Sequence, residues 1–360
     1  MMERILLNRL VYRIGKLDVG VNGFTQRRSA ANCLANYAAN NEARTIVFLD
    51  IEKAFDRAQS LVILDELVKM GLKGKILMWI KRYLTDRKAR VIFQGKVSDY
   101  HTLENGTPQG GVISPMLFNV LMNTLAKLPY PAGTLHIGYA DDVALQTSGR
   151  DSFTKMQESL DLIADKCEEI GFSISRTKTK SIAKTRDLPQ NRLQVQGQDI
   201  EYVDAHKYLG VVVARTNSGK ATVEQLKSKC NARIRVLKAM SWKGMGTSGA
   251  VIIRAYKALV RSLIDYASPV LMNMSKEDIE KPESIQNESL RIALGAPGSA
   301  KCENLRVETG MMTIADRIKY MNANLTVKTA IGDDHPETME PHSWTDERGG
   351  ESGAGGLPRL

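Results

Sequence analysis

The stretch HIGYADDVALQ, residues 136–146, places two adjacent acidic residues between two short runs of alternating apolar residues. A period of two residues is typical of β-strands, and the short break between the runs predicts a hairpin with Asp141 and Asp142 at its tip. Two carboxylates about 4 Å apart in a half-buried site repel each other by roughly 4 kcal/mol. The pair therefore either points into water, as in an ordinary polar turn, or holds a cation.

A third carboxylate follows another apolar run. TIVFLDI, residues 45–51, is rich in β-branched residues and predicts a buried strand with Asp50 near its end. An unpaired carboxylate is costly to bury there. If this strand lies beside the hairpin, three carboxylates converge and can bind Mg²⁺, which prefers oxygen ligands. The alternative is that Asp50 caps the helix predicted after it.

The composition of the 360-residue chain is that of an ordinary globular protein, with 43% hydrophobic and 25% charged residues. The formal net charge is +10, but the segment from Asp333 to the end holds seven acidic residues and two arginines, which leaves +15 for residues 1–332. Such an excess favours a polyanionic partner, either nucleic acid or an acidic membrane surface. A basic surface with no partner is the remaining interpretation.

The four cysteines lie far apart and form no C-x-x-C pair, so neither a zinc module nor a disulfide framework is expected. The amphipathic start lacks the features of a signal peptide, and no run approaches the roughly 18 apolar residues of a membrane span. We therefore expect an intracellular protein of the nucleus or cytoplasm, with no membrane partner.

The remaining pattern predicts an α+β fold with a mainly antiparallel sheet, followed by helices. The elements predicted in the first part are two helices separated near residues 71–74, a hairpin turning at 94–96, a glycine-rich loop leading into a helix capped by Ser114, a helix from residue 153 that ends at Gly171, and strands in GFSIS and HKYLGVVVA. The later helices are predicted from 221, over 250–268 with a stop at Pro269, and over 278–294 with a stop at Gly295.

Five segments occur in an order and at spacings that resemble motifs A to E of reverse transcriptases. They are FLDIEKAFD, NGTPQGGVISPMLFN, YADD, GFSISRTKTK and YLG. The sequences of these segments most resemble those of non-LTR retrotransposons of the LINE type, in the jockey-like branch. The resemblance implies a right-hand polymerase fold, with truncated fingers and a palm over residues 1–215 and a helical thumb over 216–330. The acidic, glycine-rich residues 331–360 are expected to be disordered.

The resemblance also implies roles for individual residues. The residues that match catalytic and metal-binding positions are Asp50, Asp141 and Asp142, and Lys178 matches a lysine proposed to stabilise or protonate the leaving pyrophosphate. Those that match the nucleotide pocket are Ile51, through its carbonyl, Phe55, Gln109 and Gly110, and those that match the primer grip are Tyr208, Leu209 and Gly210. Contacts to nucleic-acid phosphates are expected from Arg27, Arg28, Lys227, Lys229, Arg233 and Arg235.

Several of these residues also have simpler interpretations. Phe55 matches an aromatic side chain that crowds a ribose 2′-hydroxyl, but it also suits a core position on its helix. Lys178 lies among several basic residues and could be one more solvated lysine, and Arg27 with Arg28 could be a solvated pair. The chain departs from the family pattern at Ser175, where asparagine is common, and at Val21, where glutamine is frequent.

The function implied is RNA-directed DNA polymerisation by two Mg²⁺ ions, with Mn²⁺ as a possible substitute, in target-primed reverse transcription. The expected partners are an RNA template, a DNA primer or target and deoxynucleoside triphosphates. A retrotransposon relic that binds RNA or DNA without polymerising is the alternative, because part of the fingers is expected to be missing. A phosphohydrolase is disfavoured because it would not need the glycine-rich loop or the thumb.

Overall fold

The computed structural model describes residues 1–40, 42–184, 191–215, 219–242 and 247–334. The strands are β1 (Ala43–Asp50), β2 (Arg87–Ala89), β3 (Ile92–Phe93), β4 (Lys96–Val97), β5 (His101–Leu103), β6 (Thr134–Tyr139), β7 (Asp142–Ser148), β8 (Lys180–Ala183), β9 (Gln194–Val195), β10 (Gln198–Asp199), β11 (Glu201–Tyr202), β12 (Ala205–Tyr208) and β13 (Val211–Ala214). The helices are α1 (Met2–Ile14), α2 (Ala30–Ala39), α3 (Ala54–Arg57), α4 (Ser60–Lys69), α5 (Lys75–Leu84), α6 (Ser114–Ala126), α7 (Ser152–Glu169), α8 (Lys220–Met240), α9 (Gly249–Tyr256), α10 (Ser262–Leu271), α11 (Lys276–Leu294), α12 (Cys302–Thr309) and α13 (Ile314–Asp334). A π-helical turn, Lys257–Arg261, joins α9 to α10.

The main sheet has five strands in the order β11-β8-β1-β7-β6. Strand β1 pairs antiparallel with both β7 and β8, and β6 pairs antiparallel with β7. Only the edge pair of this sheet, β11 with β8, is parallel. The prediction of an α+β fold with a mainly antiparallel sheet is therefore confirmed.

The two faces of this sheet contribute to different hydrophobic clusters. Val47 and Leu49 of β1 pack with α6 and α7 on one face. Ile46 and Phe48 point to the other face, where they join a cluster formed by α2, the hairpin β12–β13 and the C-terminal helices. Because successive side chains of a strand alternate between faces, the row that contains Ile46 and Phe48 continues to Asp50.

The C-terminal part, residues 219–334, is helical in its described residues, as the sequence predicts. A bidentate ion pair ties two of its helices together, with Arg317 Nε and Nη2 lying 3.0 and 2.9 Å from the Asp265 carboxylate. The sheet face described above and these helices belong to one continuous cluster of buried residues. Among the described residues, no helix combines the length and the apolar character needed to cross a bilayer.

Most predicted elements are confirmed, including the helix pair α4–α5, the hairpin that turns at Gln94 and Gly95, and helix α11, which ends at Gly295 in the left-handed region with φ 62°. The predicted domain boundary after residue 215 falls on residues 216–218, which lie outside the described residues. The predicted tail begins inside α13, which continues to Asp334, and its remaining residues 335–360 also lie outside the described residues.

Three local predictions are wrong. GFSIS contributes a single bridge between Ile174 and Ile51, and the strand that joins the sheet is β8, a few residues later. Pro269 lies inside α10, where it is buried with its neighbours, so packing outweighs the lost hydrogen bond. Ser114 does not cap α6. Its hydroxyl lies 3.0 Å from that of Tyr83, while Glu3 of α1 accepts from the backbone N–H of Val112 at 2.6 Å.

His136 is a buried histidine in β6, behind the hairpin tip. Neither ring nitrogen has a hydrogen-bond partner among the described residues. The ring stacks against Tyr130 with centroids 5.9 Å apart, and a Cβ at Gly20 would lie 2.8 Å from its Nδ1. Burial lowers the pKa of His136 from 6.5 to about 4, although the nearby Asp18 charge acts in the opposite direction. The imidazole is therefore neutral in the folded protein at physiological pH.

This burial predicts a pH-dependent loss of stability. Between about pH 6.5 and pH 4 the unfolded chain binds a proton at His136 that the folded chain does not, so stability falls as the pH falls through that window. We expect His136→Phe, which keeps an aromatic ring in place but cannot bind a proton, to remove about 3 kcal/mol of the change in unfolding free energy between pH 7 and pH 4. Urea unfolding at pH 7, 5.5 and 4 measures the effect. Parallel curves of unfolding free energy against pH for the two proteins would contradict the assignment.

Candidate active site

The turn that carries Asp141 and Asp142 is a two-residue connection between β6 and β7, in which Tyr139 pairs with Asp142. Ala140 occupies the left-handed region with φ 54°. The backbone at Gly23 supports this turn so closely that a Cβ there would lie 2.4 Å from the Ala140 nitrogen. Asn119 of α6 in turn donates to the Gly23 carbonyl at 2.7 Å. The element GFTQRRSA, which begins at Gly23, therefore supports the hairpin tip.

The strand that ends at Asp50 lies directly against this hairpin, as the sequence predicts. Asp50 is the cross-strand partner of Asp142 in the antiparallel pair β1–β7. Directly opposed residues of an antiparallel pair have Cβ atoms about 5 Å apart on the same face, so the two carboxylates are neighbours. Partial burial raises the pKa of Asp142 most, followed by the charges of Asp141 and Asp50. The site therefore concentrates negative charge.

The donor chemistry of this site suits a hard divalent cation, because Asp50, Asp141 and Asp142 supply carboxylate oxygens. Their mutual repulsion is relieved when a cation binds between them. Within the described ranges, however, no three His, Cys, Asp or Glu side chains are already arranged as a metal-binding cluster.

Lys178 lies at this site rather than in solvent alone. Its Nζ is 3.5 Å from Asp50 Oδ2, and its side chain remains largely exposed. The loop that carries it is held against the end of β1, because Ser175 N donates to Asp50 O at 2.7 Å and Glu52 N donates to Ser173 O at 2.8 Å. Ile51, between these contacts, is buried. The structure thus brings the ammonium group of Lys178 next to Asp50. Because its side chain is largely exposed, this group can also contact an anionic ligand bound at the site.

The glycine-rich loop packs on the turn that follows Asp50. Gly106 N donates to Ala58 O at 2.8 Å, and Thr107 N donates to Phe55 O at 3.0 Å. Gly106 has φ 88°, and a Cβ there would meet the Phe55 carbonyl at 3.0 Å, so the close approach requires glycine. Gln109 Nε2 donates to Asp56 Oδ1 at 3.1 Å. The Gln109 side chain therefore contacts α3, the helix that follows Asp50, and the adjacent Gly110 is exposed.

Phe55 is half-buried. Its ring stacks on Phe118 of α6 at a centroid distance of 4.1 Å, and Phe24 meets it edge-on at 6.0 Å. The sequence offered a core position and a site position as alternatives, and the ring combines a packed side with partial exposure. This packing holds the ring in one orientation beside the glycine-rich loop.

The segment YLG forms the turn of the hairpin β12–β13. Tyr208 pairs with Val211, and both turn residues are left-handed, with φ 46° at Leu209 and 82° at Gly210. Tyr208 is buried, and burial raises the pKa of its hydroxyl well above the usual value. Tyr266 donates to Leu209 O at 2.7 Å and Lys229 Nζ donates to Gly210 O at 3.1 Å. The C-terminal helices therefore position this turn.

A cavity of about 440 Å³ connects the carboxylates to this hairpin. Its lining residues are Phe48, Leu49, Asp50, Asp142, Val143, Thr177, Lys178, Lys180, His206, Lys207 and Tyr208. Sequence reasoning missed Thr177, Lys180, His206 and Lys207, although the period of β12 brings His206 and Tyr208 to one face. His206 stacks on Phe48 at 4.5 Å, and burial and then Lys180 lower its pKa. A carboxylate pair and several amines thus line one cavity.

The predicted phosphate contacts divide into two groups. Arg27, Lys227 and Arg235 are exposed and accessible to a ligand. The guanidinium of Arg28 instead donates to the backbone carbonyls of Asp18 at 2.5 Å and Val21 at 2.8 Å, and Arg233 donates to the carbonyl of Leu259 in the π-helical turn. Lys229 donates to Gly210. The charged groups of Arg28, Arg233 and Lys229 are thus already hydrogen bonded to backbone oxygens, and their contacts to phosphates stay a prediction.

The crowding of the carboxylates predicts that their charges lower the free energy of unfolding. Since the pKa of Asp142 is raised above 3.8, the folded state disfavours its charged form, whereas the unfolded chain does not. Asp142→Asn should therefore raise the thermal midpoint at pH 7 in EDTA, and the gain should disappear below pH 3.8, where both states are protonated. Calorimetry measures the shift. Asp65→Asn, on the exposed face of α4, is the matched control, and an equal gain in both variants would refute the explanation.

Comparison with known proteins gives the family. A model of the reverse transcriptase (RNA-dependent DNA polymerase) family matches residues 1–213. The RNA-directed DNA polymerase from mobile element jockey of Drosophila funebris is 25% identical over 363 residues, which cover 94% of this chain and 39% of that protein. The jockey protein of Drosophila melanogaster is 23% identical, covering 89% and 37%. The chain thus spans about two fifths of the length of these relatives.

Solved structures are more distant. An apo telomerase from Candida tropicalis matches with a TM-score of 0.44 and 12% identity, over 94% of this chain and 59% of that one. The family model, by contrast, includes the strand of Asp50, the glycine-rich loop, the Asp141 hairpin and the segment YLG in one match. This chain therefore belongs to the reverse transcriptase family and is a LINE-type member similar to the jockey proteins.

Proposed function

We propose that this chain is an RNA-directed DNA polymerase that adds deoxynucleotides to a primer 3′-hydroxyl, and that it serves retrotransposition by target-primed reverse transcription. The observation that carries the proposal is the cross-strand pairing of Asp50 with Asp142 beside Asp141. The partners are an RNA template, a DNA primer or target and deoxynucleoside triphosphates. Membership of the family supports the same reaction.

Asp50, Asp141 and Asp142 would hold two Mg²⁺ ions, for which Mn²⁺ could substitute. When bound, the ions supply activation of the primer hydroxyl and stabilisation of charge on the leaving pyrophosphate. The chain's own contribution is positional, since the pairing of β1 with β7 holds the carboxylates on one sheet face. The repulsion that raises the pKa of Asp142 is also what a bound cation would relieve.

The other site residues take their roles from their positions. Lys178, at 3.5 Å from Asp50, would stabilise or protonate the leaving pyrophosphate. Gln109 and Gly110 would border the incoming nucleotide and the template base, and the carbonyl of Ile51 would complete a metal coordination shell. The turn Tyr208–Gly210 and the adjoining cavity would hold the primer end. Arg27, Lys227 and Arg235 would contact phosphates, in contacts that weaken with salt.

In this proposal residues 1–215 form fingers and palm, and residues 216–330 form the thumb. The cavity lies on the sheet face that continues into the helical part, so a primer bound there would be flanked by both regions. Tyr266 and Lys229, which hold the Leu209–Gly210 turn, link the two regions at that point.

The site assignment predicts the behaviour of a single carboxylate variant. With Mg²⁺, the wild-type protein should extend a labelled DNA primer on an RNA template, and Asp141→Asn should abolish extension because a metal ligand is lost. Denaturing gels measure the product, with Asp65→Asn as the control that retains extension. Equal extension by Asp141→Asn would remove the carboxylates from the mechanism. Binding of RNA or DNA by the wild-type protein without incorporation, in Mg²⁺ or Mn²⁺, would select the non-polymerising alternative.

Phe55 predicts sugar selectivity. Its ring is held by Phe118 and Phe24, so it can crowd a 2′-hydroxyl on a nucleotide bound at the site. Phe55→Val should increase the use of ribonucleotides relative to deoxynucleotides by about tenfold or more, since steric exclusion in a pocket is worth 1 to 3 kcal/mol. Competitive incorporation of the two sugars measures the ratio. An unchanged ratio in an active Phe55→Val enzyme would leave Phe55 with a packing role.

A further inference from the structure

The segment between α5 and the glycine-rich loop forms a two-stranded ribbon, defined here as residues 87–103. Its root is the pair β2–β5 and its tip is the pair β3–β4, closed by a turn at Gln94 and Gly95, both with positive φ. Every residue from 88 to 105 is exposed. The first strand of the ribbon runs seven residues from Arg87 to Phe93, so the ribbon extends roughly 20 Å. Its sequence has no role in the function proposed above.

The ribbon carries large apolar side chains that a protein normally covers. Tyr100 is 61% exposed and Phe93 is 68% exposed, and four further apolar residues of the ribbon, Val91, Ile92, Val97 and Leu103, are exposed as well. An exposed ribbon of this kind is a binding or aggregation surface, because an isolated hairpin gains little stability by itself. Something other than this chain's own core is therefore expected to cover it.

The charges indicate what covers it. The ribbon has Lys88, Arg90 and Lys96 on its exposed strands, and among the ion pairs of the described residues none involves these three. The guanidinium of Arg90 lies instead over the ring of Tyr100, at 5.0 Å from its centroid. Aromatic rings and arginine occur at both protein and nucleic-acid interfaces, but lysine is depleted at protein interfaces, so Lys88 and Lys96 beside exposed aromatic rings favour a single-stranded nucleic acid.

The register places Lys88, Arg90 and Tyr100 on one side of the ribbon, whereas Lys96 pairs with Phe93 on the other side. The cross-strand pairing shifts by one residue between Ala89–His101 and Ile92–Val97, which puts an extra residue on the returning strand opposite Arg90. Lys88, Arg90 and Ile92 alternate with the residues of the other face. Arg90 covers one face of the Tyr100 ring. The side chain is otherwise exposed, so a base can reach it.

The root of the ribbon connects it to the active site. Arg87 Nη2 donates to the carbonyls of Asn105 at 2.6 Å and Gly106 at 2.7 Å, which begin the glycine-rich loop. That loop carries Gln109 and Gly110, proposed above to border the template base. The root of the ribbon therefore adjoins the loop proposed to border the template base.

From this arrangement we propose that the ribbon binds the single-stranded RNA template that has not yet been copied, with Tyr100 stacking on a base and Lys88 and Arg90 contacting phosphates. The proposal rests on the proposed function only for the identity of the strand as template. It adds a second nucleic-acid contact, about 20 Å long, that begins at the glycine-rich loop.

The test is a binding measurement that needs no catalysis. Fluorescence anisotropy compares a blunt RNA–DNA hybrid with one that has a 5′ RNA overhang of about ten nucleotides, both without nucleoside triphosphates. We expect wild type to bind the overhang hybrid about tenfold more tightly, and Tyr100→Ala to lose that preference while binding the blunt hybrid normally. Asp141→Asn should keep the preference, which separates a failure of the ribbon assignment from a failure of the polymerase assignment.

The matched control is Tyr320→Ala. Tyr320 is also an exposed tyrosine, at 51%, and it also lies beneath an arginine, with Arg317 5.4 Å from its centroid. Arg317, however, is neutralised by Asp265. The overhang preference should survive Tyr320→Ala, and thermal midpoints within error of wild type exclude misfolding of either variant.

The charges give an independent readout. The double variant Lys88→Gln/Arg90→Gln should flatten the salt dependence of overhang binding, reducing the slope of log K against log salt by about 1.4 for two lost phosphate contacts. A wild-type protein with no overhang preference would overturn the proposal. So would a ribbon that mediates self-association, seen as a wild-type dimer that Tyr100→Ala converts to a monomer without any change in overhang binding.

Discussion

The candidate site depends on one strand pairing, that of β1 with β7 in a register that sets Asp50 opposite Asp142. A slip of one residue would send every side chain of β1 to the other face, and Asp50 would then enter the cluster of α6 and α7. Both faces of the sheet are buried along most of β1, so such a slip would also move Phe48 and Leu49 to the opposite faces and disrupt their packing. The same apolar packing that stabilises the sheet therefore positions the carboxylates.

Contacts from distant segments complete the arrangement. Gly23 buttresses the Asp141 turn, the Ser173–Ser175 backbone is hydrogen bonded to the end of β1, and the glycine-rich loop is bonded to the turn after it. These contacts are mostly backbone hydrogen bonds and close approaches, which hold position without adding charge. These contacts thus hold the carboxylates close together despite their mutual repulsion. Functional sites commonly reduce the stability of a protein in this way. Lys178 places a positive charge 3.5 Å from Asp50.

Sequence reasoning was reliable where a local pattern has one physical meaning. The period of two around Asp141, the glycine-rich loop and the helical periods of α4, α5 and α11 all formed as predicted. It failed where tertiary contacts compete with a local preference. Pro269 stays inside a helix because its surroundings are buried. Arg28 and Arg233, whose contacts to phosphates stay a prediction, donate to backbone carbonyls of their own chain. Charge alone does not reveal whether an arginine is already occupied.

The sequence by itself determined the family, the order of the motifs and the identity of the three carboxylates, because these depend on residue type and spacing along the chain. Only the tertiary structure decided that Asp50 and Asp142 are direct partners, that Lys178 approaches them, and that His206 and Lys207 share their cavity. The physical reason is that such contacts join segments about 30 to 160 residues apart. Their energies depend on the packing of the whole sheet and its flanking helices, which no single segment encodes.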